Sequence, residues 1–182
     1  MPVLTIDSNS YQKMKDQLKK SHEVGGVFVQ QGNNLIPRFT SNGNSNSITV
    51  ESNIPFNFHT HPGTCDNKMS CSLGMPSSQD MKQILAAAKE GNVAHFVVAH
   101  EGLYVVQVRC DLLQQYIQNA SSTASAIRNK FKSFQQNFNK SHVHYDSFIP
   151  QWIQFANKNG FHVLFYPEGS SVQFQLNPPC RF

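Results

Sequence analysis

The sequence predicts an α/β domain in which a mixed β-sheet is flanked by helices. Runs of β-branched and aromatic residues alternate with segments whose apolar residues recur every three or four positions, and this alternation favours a sheet covered by helices. The 182 residues suffice for one domain with a buried core. The 14 phenylalanines and the hydrophobic fraction of 39% exclude a disordered chain.

The first part of the chain predicts one helix and three strands. Apolar residues at helical spacing, preceded by Ser8 or Ser10 as an N-cap, predict the helix. β-branched runs predict the strands, and a stretch rich in asparagine and serine predicts a loop. The predicted elements are a helix over 11–21, a strand over 24–29, a loop over 41–47 and strands over 47–51 and 54–61.

The sequence after residue 62 predicts four helices and two hairpins. Gly91 is the predicted C-cap of the first of these helices. We expect residues 1–119 to form the core and residues 120–182 to form an extension packed on it. The predicted elements are a loop over 63–76, a helix from Ser77 to Gly91, a hairpin of 95–99 and 103–109, helices over 111–119, 123–139 and 147–158, and a hairpin of 161–166 and 172–176.

Charge pattern and cysteine content narrow the classes of partner and compartment. The formal net charge is +4, and no basic run is interleaved with aromatic residues, so we expect no nucleic-acid partner. No apolar stretch is long enough to span a membrane, and the start lacks the features of a signal peptide. We therefore expect an intracellular, cytoplasmic protein whose four cysteines are free thiols. The sequence predicts no oligomeric state.

The segment Asn57-Phe58-His59-Thr60-His61-Pro62 carries the clearest chemical pattern. Side chains alternate between the faces of a strand, so Asn57, His59 and His61 share one face. Pro62 cannot continue a central ladder, which places the histidines at the open end of the strand. Two imidazoles so placed can converge on one metal ion, although two exposed histidines at a strand end would show the same pattern.

Two further pieces are ambiguous by themselves. Ser77-x-x-Asp80 matches a capping box at a helix start, where a carboxylate also suits the helix dipole. Glu23 follows the first predicted helix, and a carboxylate near the negative end of a helix is mildly unfavourable. Neither piece alone indicates a functional site.

In combination these pieces resemble one family. Glu23, then His59-Thr60-His61-Pro62, then Ser77-x-x-Asp80 resembles the signature of the JAMM (MPN+) zinc metalloproteases, which runs Glu, H-[ST]-H-P and S-x-x-D in that order. The resemblance covers roughly residues 8–110, including the helix before Glu23 and the hairpin of 95–109. It implies the MPN fold, a mixed sheet flanked by helices, here with a C-terminal helical and hairpin extension.

The resemblance also implies a role for each matched residue. His59, His61 and Asp80 would hold one catalytic Zn²⁺ and leave the fourth position to water, as a catalytic zinc requires. Glu23 would move the proton of that water to the departing amine, and Ser77 would donate a hydrogen bond to the oxyanion. The implied activity is that of a deubiquitinase, which hydrolyses the isopeptide bond of ubiquitin or a ubiquitin-like modifier without a covalent enzyme intermediate.

The chain departs from the family pattern between Pro62 and Ser77, where 63–75 forms an enlarged loop. Loop length costs little free energy, so we expect the metal geometry to persist and the loop to affect substrate choice. Cys65 and Cys71 lie in this loop as free thiols, as a disulfide or as ligands of a second metal. The long loop and the asparagine-rich composition resemble JAMM-type proteins of large DNA viruses.

Other classes of site fit the sequence less well. A cysteine hydrolase would pair Cys65 or Cys71 with His95 or His100, but no local signature supports it. A zinc deaminase requires H-x-E and P-C-x-x-C motifs, which this chain lacks. The second HxH motif, at 142–144, is interpreted as surface histidine. Two alternatives remain: the same zinc chemistry acting on a sulfur-carrier protein or small peptide, and a non-catalytic MPN scaffold.

Overall fold

A computed structural model describes residues 2–44, 47–62, 73–141, 145–169 and 171–182. Within these ranges the chain is a mixed α/β protein, which confirms the predicted fold class at that level. The strands are β1 (Val3–Ile6), β2 (Val24–Gln31), β3 (Asn34–Asn42), β4 (Phe56–Thr60), β5 (Ala94–Val98), β6 (Gly102–Val108), β7 (Phe161–Pro167) and β8 (Val172–Gln175). The helices are α1 (Ser8–Asp16), α2 (Ser78–Lys89), α3 (Cys110–Gln118), α4 (Ala120–Ser141) and α5 (Tyr145–Lys158).

All eight strands form one mixed sheet in the order β7-β6-β5-β4-β2-β3-β1-β8. The pairs β4–β5 and β1–β3 are parallel, and the other pairs are antiparallel. Strand β4 therefore lies in the middle of the sheet, between β2 and β5. This position buries every residue of β4 and holds its carboxyl end rigidly, where the motif histidines begin.

The sheet separates two apolar cores, because alternate residues of each strand face opposite sides. Residues such as Val97 and Tyr104 pack against helices α2 to α5, whereas Phe96 and Leu103 pack toward α1 on the other face. The sheet is strongly curled: the rings of Tyr166 in β7 and Phe174 in β8, on its two edge strands, lie 6.4 Å apart. The last two strands thus belong to the same sheet as the first six.

The start of the chain differs from its prediction in two ways. Helix α1 is capped by Asp7, whose carboxylate accepts a 2.7 Å hydrogen bond from the Ser10 amide, so the prediction of a serine cap was wrong. A carboxylate accepts this bond at least as well as a hydroxyl. The helical segment ends in a 3-10 turn at Lys19, and Glu23 stands directly before β2 rather than at a helix terminus.

Two strand predictions were also wrong. Residues 47–51 form no strand, because both sides of β4 are already paired, one with β2 and the other with β5. Strands β7 and β8 do not form a hairpin, because they occupy opposite edges of the sheet. Strand β8 pairs with β1 instead. The sequence analysis had not predicted β1.

The cysteine prediction was wrong for two residues, because Cys110 at the start of α3 forms a disulfide with Cys180 near the C-terminus. The two cysteines are 70 residues apart in the sequence, so their spacing gave no indication that they pair. Cys65, Cys71 and the motif at 142–144 lie outside the described residues. Within the part of the chain that the structure describes, no helix is long and apolar enough to cross a membrane.

Candidate metal centre

Three separate elements bring the candidate residues to one place. Strands β2 and β4 are antiparallel neighbours with Gly25 opposite His59, so Glu23, just before β2, lies beside the end of β4. The Val24 amide donates a 2.9 Å hydrogen bond to Thr60 Oγ1, which locks the two strand ends together. Helix α2 starts near these strand ends and contributes Asp80 from its first turn.

The predicted metal ligands converge closely. The Nε2 atoms of His59 and His61 are 2.9 Å apart, and Asp80 Oδ2 lies 3.5 Å from the first and 3.1 Å from the second. Tetrahedral coordination at zinc–nitrogen bond lengths of 2.0–2.1 Å separates neighbouring donor atoms by about 3.3–3.4 Å. The three donor atoms therefore have the spacing of one face of a tetrahedral zinc site.

Glu23 also lies close to the imidazole pair. Its Oε1 is 3.7 Å from the Nε2 atom of His59 and 3.5 Å from that of His61. Glu23, His59 and His61 thus offer ligand atoms within 4.8 Å of one another, close enough to hold a metal ion. Its second oxygen, Oε2, is buried and has no hydrogen-bond partner among the described residues, so this carboxylate has capacity left for a ligand or a proton.

A buried hydrogen-bond chain assigns the tautomer of His59. Asn92 Nδ2 donates to two backbone carbonyls and to Asn57 Oδ1, which identifies that Asn57 atom as an acceptor. His95 Nδ1, 2.7 Å from the same oxygen, must therefore donate to it, which leaves His95 Nε2 as an acceptor. His59 Nδ1, 2.7 Å from His95 Nε2, then carries the proton, and His59 Nε2 presents a lone pair.

A second chain assigns the tautomer of His61. Its Nδ1 atom lies 2.9 Å from the carbonyl oxygen of Gly74 and donates to it. The Gly74 amide donates in turn to the Glu101 carboxylate, which also accepts a 2.8 Å hydrogen bond from the Tyr104 hydroxyl. His61 Nε2 therefore also presents a lone pair. Outer partners of this kind orient metal-ligating histidines and raise their basicity.

The two assignments together show that the site favours a cation. Two imidazole lone pairs that face each other at 2.9 Å repel unless a proton or a metal ion lies between them. Burial lowers the pKa of His61, but Asp80, Glu23 and the Gly74 carbonyl outweigh burial and raise that pKa above its usual value. The surroundings thus favour positive charge where the four side chains meet.

The two carboxylates differ in their affinity for a proton. Burial raises the pKa of Glu23 above its usual value, against the opposing charges of the two imidazoles. Burial also acts to raise the pKa of Asp80, but the charges and hydrogen bonds of His59 and His61 prevail and hold it well below its usual value. Environments that separate two pKa values assign different roles to two carboxylates. Asp80 suits a permanently ionised ligand, and Glu23 suits a group that takes up a proton.

Ser77 forms the predicted capping box with Asp80. The Asp80 amide donates a 3.0 Å hydrogen bond to Ser77 Oγ, and the Ser77 amide donates a 2.9 Å bond to Asp80 Oδ2. The Ser77 hydroxyl proton remains available to a further acceptor, and the residue is exposed to solvent. The site opens on this side, because the side chains of His61 and Asp80 are 18% and 15% exposed, against 4% for His59 and Glu23.

The C-terminal part of the chain contributes to the surroundings of the site. A cavity of about 340 Å³ adjoins His61 and Ser77. Its far wall is formed by Phe131 and Lys132 of α4 and by Trp152 of α5. The segment predicted as an extension therefore lines the approach to the candidate centre.

Sequence analysis missed the residues that support the two histidines. His95 appeared there only as the partner of a rival cysteine nucleophile, whereas the structure places it 2.7 Å from His59. Gly74 and Glu101 carried no motif at all. His95 reaches the site because β5 pairs in parallel with β4, which sets His95 opposite Asn57. No pattern in the sequence indicates this pairing.

No protein-family model matches the chain, and no curated protein matches it.

Replacing His95 tests its role as a positioning residue for His59. We expect His95→Leu to weaken zinc binding about 10–100-fold, the usual cost of losing an outer-shell partner. His95→Gln should recover much of that loss, because a glutamine amide can accept from His59 and donate to Asn57. Competition titration against a chelator measures the affinities. Equal affinities for the leucine and glutamine variants would contradict the role.

Gly74→Ala tests the partner of His61. A Cβ atom at Gly74 would lie 2.6 Å from the Ala99 Cβ and 2.9 Å from the His61 Cβ, so the segment must shift. We expect a loss of about 1–3 kcal/mol in unfolding free energy, as for other overpacked sites, with weaker zinc binding. Gly32→Ala is the control, since nothing lies within 4 Å of its added Cβ and its cost is confined to a positive φ of 61°. The control should lose stability but retain zinc affinity.

Proposed function

We propose that this protein is a zinc-dependent isopeptidase of the JAMM type, which hydrolyses the amide bond of ubiquitin or a ubiquitin-like modifier. The observation that carries the proposal is the convergence of two imidazole Nε2 atoms and two carboxylates whose pKa values are shifted in opposite directions. The five motif residues lie together near the ends of the central strands β2 and β4 and the start of α2: Glu23, His59, His61, Ser77 and Asp80. This arrangement supports the proposal of an MPN fold, which the resemblance to the JAMM signature implies.

His59, His61 and Asp80 would hold the metal. Two imidazole nitrogens and one carboxylate oxygen form a donor set typical of catalytic zinc, and they leave one position for water. When bound, zinc lowers the pKa of its water toward about 7 and polarises the substrate carbonyl. The orphaned Glu23 Oε2 and the facing Nε2 lone pairs fit such an ion, because each lacks a partner that a cation or its water would supply.

Glu23 acts as the general base and then as the general acid. Burial raises the pKa of its carboxylate, so Glu23 takes a proton from water more readily than an ordinary glutamate does. The departing amine is a stronger base than a carboxylate and then accepts that proton. Its Oε1 atom lies 3.7 Å from His59 Nε2 and 3.5 Å from His61 Nε2, close enough to reach a water molecule bound to a metal ion held by the two imidazoles. Proton transfer by such a group accounts for about 10²–10⁴-fold in rate.

Ser77 stabilises the substrate oxygen as it gains negative charge. Its oxygen accepts from the Asp80 amide, which orients the hydroxyl and leaves its proton free to donate. A donor of this kind contributes about 10²–10³-fold where it has been removed from proteases. The capping box therefore serves both helix stability and catalysis.

The proposed substrate class rests on the motif resemblance. Ubiquitin and ubiquitin-like modifiers are the proposed substrates, and an amidase acting on a sulfur-carrier protein or small peptide is the alternative. A non-catalytic MPN scaffold is less favoured, because a scaffold has no need to keep two polar hydrogen-bond chains behind two converging histidines.

The experiment measures bound metal first and hydrolysis second. The purified chain, loaded with zinc, is incubated with ubiquitin chains, with a sulfur-carrier protein carrying a C-terminal amide-linked adduct, and with small peptides. We expect one zinc per chain and cleavage of ubiquitin chains that stops when a chelator removes the metal. Zinc with cleavage of only the other substrates would support the alternative, and zinc with no cleavage would support the scaffold.

A further inference from the structure

Helix α4 carries the whole net charge of the chain. Its sequence contains four basic residues and no acidic residue. The formal net charge of the protein is +4, so the rest of the chain has equal numbers of basic and acidic residues. The positive charge of this protein is therefore concentrated on one helix. The motif and the proposed mechanism assign nothing to it.

The basic side chains of α4 lie on two different flanks of the helix. The helix buries one apolar face, which consists of Ala124, Ile127, Phe131 and Phe138. At 3.6 residues per turn, Arg128 and Lys132 follow each other along one flank of this face, and Lys130 lies on the opposite flank. All three basic residues are exposed to solvent. A partner that binds one flank therefore need not contact the other.

The flank of Arg128 and Lys132 borders the approach to the candidate metal centre. Lys132 lines the cavity of about 340 Å³ that also contacts His61 and Ser77. Arg128 lies one turn before Lys132, about 6 Å away along the helix axis. A protein segment held by these two side chains would therefore lie beside the candidate centre.

No acidic side chain among the described residues balances this pair of cations. Neither Arg128 nor Lys132 forms an ion pair with any residue that the structure describes. No carboxylate belongs to the described residues that line the cavity. Like charges four positions apart on a helix also repel each other and destabilise it slightly. The carboxylates of a bound partner would relieve this repulsion.

The flank of Lys130 differs in its position and in its charges. Lys130 lines a separate cavity of about 510 Å³ together with Arg109, Asp111 and Lys158. Arg109 Nε lies 3.4 Å from Asp111 Oδ1, so this cavity contains a counter-charge of its own. None of the described residues that line it belongs to the candidate metal centre. Lys130 is therefore a basic residue of the same helix that lies away from the centre.

We propose that Arg128 and Lys132 form a docking surface for an acidic segment of the protein substrate. Opposite charges on two partners steer their encounter and fix their relative orientation. A protein segment is favoured over a nucleic acid, because the phenylalanines of α4 pack in the apolar core and offer no exposed ring for base stacking. The inference rests on the proposed function and narrows it to conjugates that present acidic residues near the scissile amide.

Binding of short peptides tests the docking surface without hydrolysis. Fluorescein-labelled repeats of glycine and glutamate are titrated with the purified protein and followed by fluorescence anisotropy. Repeats of glycine and glutamine, repeats of glycine and lysine, and oligothymidylate of equal length are the comparisons. We expect the glutamate peptide to bind about tenfold more tightly than the glutamine peptide, with an affinity that falls as the salt concentration rises. Tighter binding of oligothymidylate would overturn the proposal in favour of a nucleic-acid partner.

Lys132→Glu and Lys130→Glu form a matched pair, because both change the net charge of the chain equally and both lie on α4. Each replaces an exposed side chain that has no ion pair among the described residues, so both variants should fold. We expect Lys132→Glu to lose about tenfold in affinity for the glutamate peptide and to prefer the lysine peptide, and Lys130→Glu to stay within about threefold of the unsubstituted protein. Arg128→Glu should change the affinities in the same direction as Lys132→Glu. Equal losses in Lys132→Glu and Lys130→Glu would overturn the proposal.

Hydrolysis separates this inference from the proposed function. For an isopeptide substrate whose acceptor peptide contains glutamates, Lys132→Glu should raise KM and leave kcat unchanged, because docking precedes the chemical step. Hydrolysis with the same KM in Lys132→Glu and Lys130→Glu would overturn the docking surface and leave the hydrolase standing. Charge-selective peptide binding that Lys132→Glu reverses, together with no hydrolysis of any substrate, would support the surface and reject the hydrolase.

Discussion

Glu23→Gln should retain one zinc per chain and lose hydrolysis by about 10²–10⁴-fold, the range of a positioned general base. Glutamine preserves the shape of the side chain but cannot take up a proton at neutral pH. The variant should fold normally, because Glu23 Oε2 has no hydrogen-bond partner to lose among the described residues and the substitution removes a buried carboxylate. Zinc content and turnover, measured on the same preparation, check this prediction.

The matched control for this variant is Glu51→Gln. The Glu51 side chain is exposed, and only its backbone carbonyl is used near the site, so zinc content and hydrolysis should both be unchanged. A Glu23→Gln protein that keeps full activity would remove Glu23 from the proton transfer. Loss of zinc from that variant would instead make Glu23 a metal ligand, which its distances to both imidazoles also allow.

Asp80→Asn and Ser77→Ala separate metal binding from helix capping, since both residues belong to the same capping box. Asp80→Asn should weaken zinc binding by more than about 100-fold, because removing a ligand costs more than removing an outer-shell partner. Ser77→Ala should keep the zinc, lose about 0.5–2 kcal/mol of stability with the cap, and lose about 10²–10³-fold in hydrolysis as an oxyanion donor.

Metal content and thermal unfolding with and without zinc measure the two effects. In the unsubstituted protein and in Ser77→Ala, zinc should raise the unfolding temperature, because it binds the folded state. In Asp80→Asn that shift should be absent at the same zinc concentration. If Asp80→Asn binds zinc as tightly as the unsubstituted protein does, the ligand set is wrong and Asp80 serves only as a cap.

Sequence patterns between residues two or three positions apart predicted a large part of the candidate site. The alternation of side chains along a strand was enough to set His59 and Asn57 on one face, and the structure uses both on that face. The spacing of Ser77 and Asp80 was enough to predict the capping box, and both of its hydrogen bonds are present. Such features depend on residues two or three positions apart, whose geometry the backbone itself dictates.

Local rules failed where distant segments had to be paired. The placement of β7 and β8 at opposite edges of the sheet depends on which strands meet, and no turn motif records it. The prediction that Cys110 and Cys180 are free thiols was wrong for the same reason, because their pairing joins distant segments. Register between parallel strands is likewise set by the packing of whole faces rather than by any neighbouring residue.

By itself the sequence singled out the candidate site residues, and it set His59 on a strand and Ser77 and Asp80 at the start of a helix. Tertiary structure alone decided that His95 supports His59 and that the Gly74 carbonyl supports His61. It also decided that burial raises the pKa of Glu23 while the two imidazoles lower that of Asp80. The physical reason is that hydrogen-bond partners and desolvation come from segments far apart in the chain. These partners, and the burial that shifts the pKa values, are present only in the folded protein.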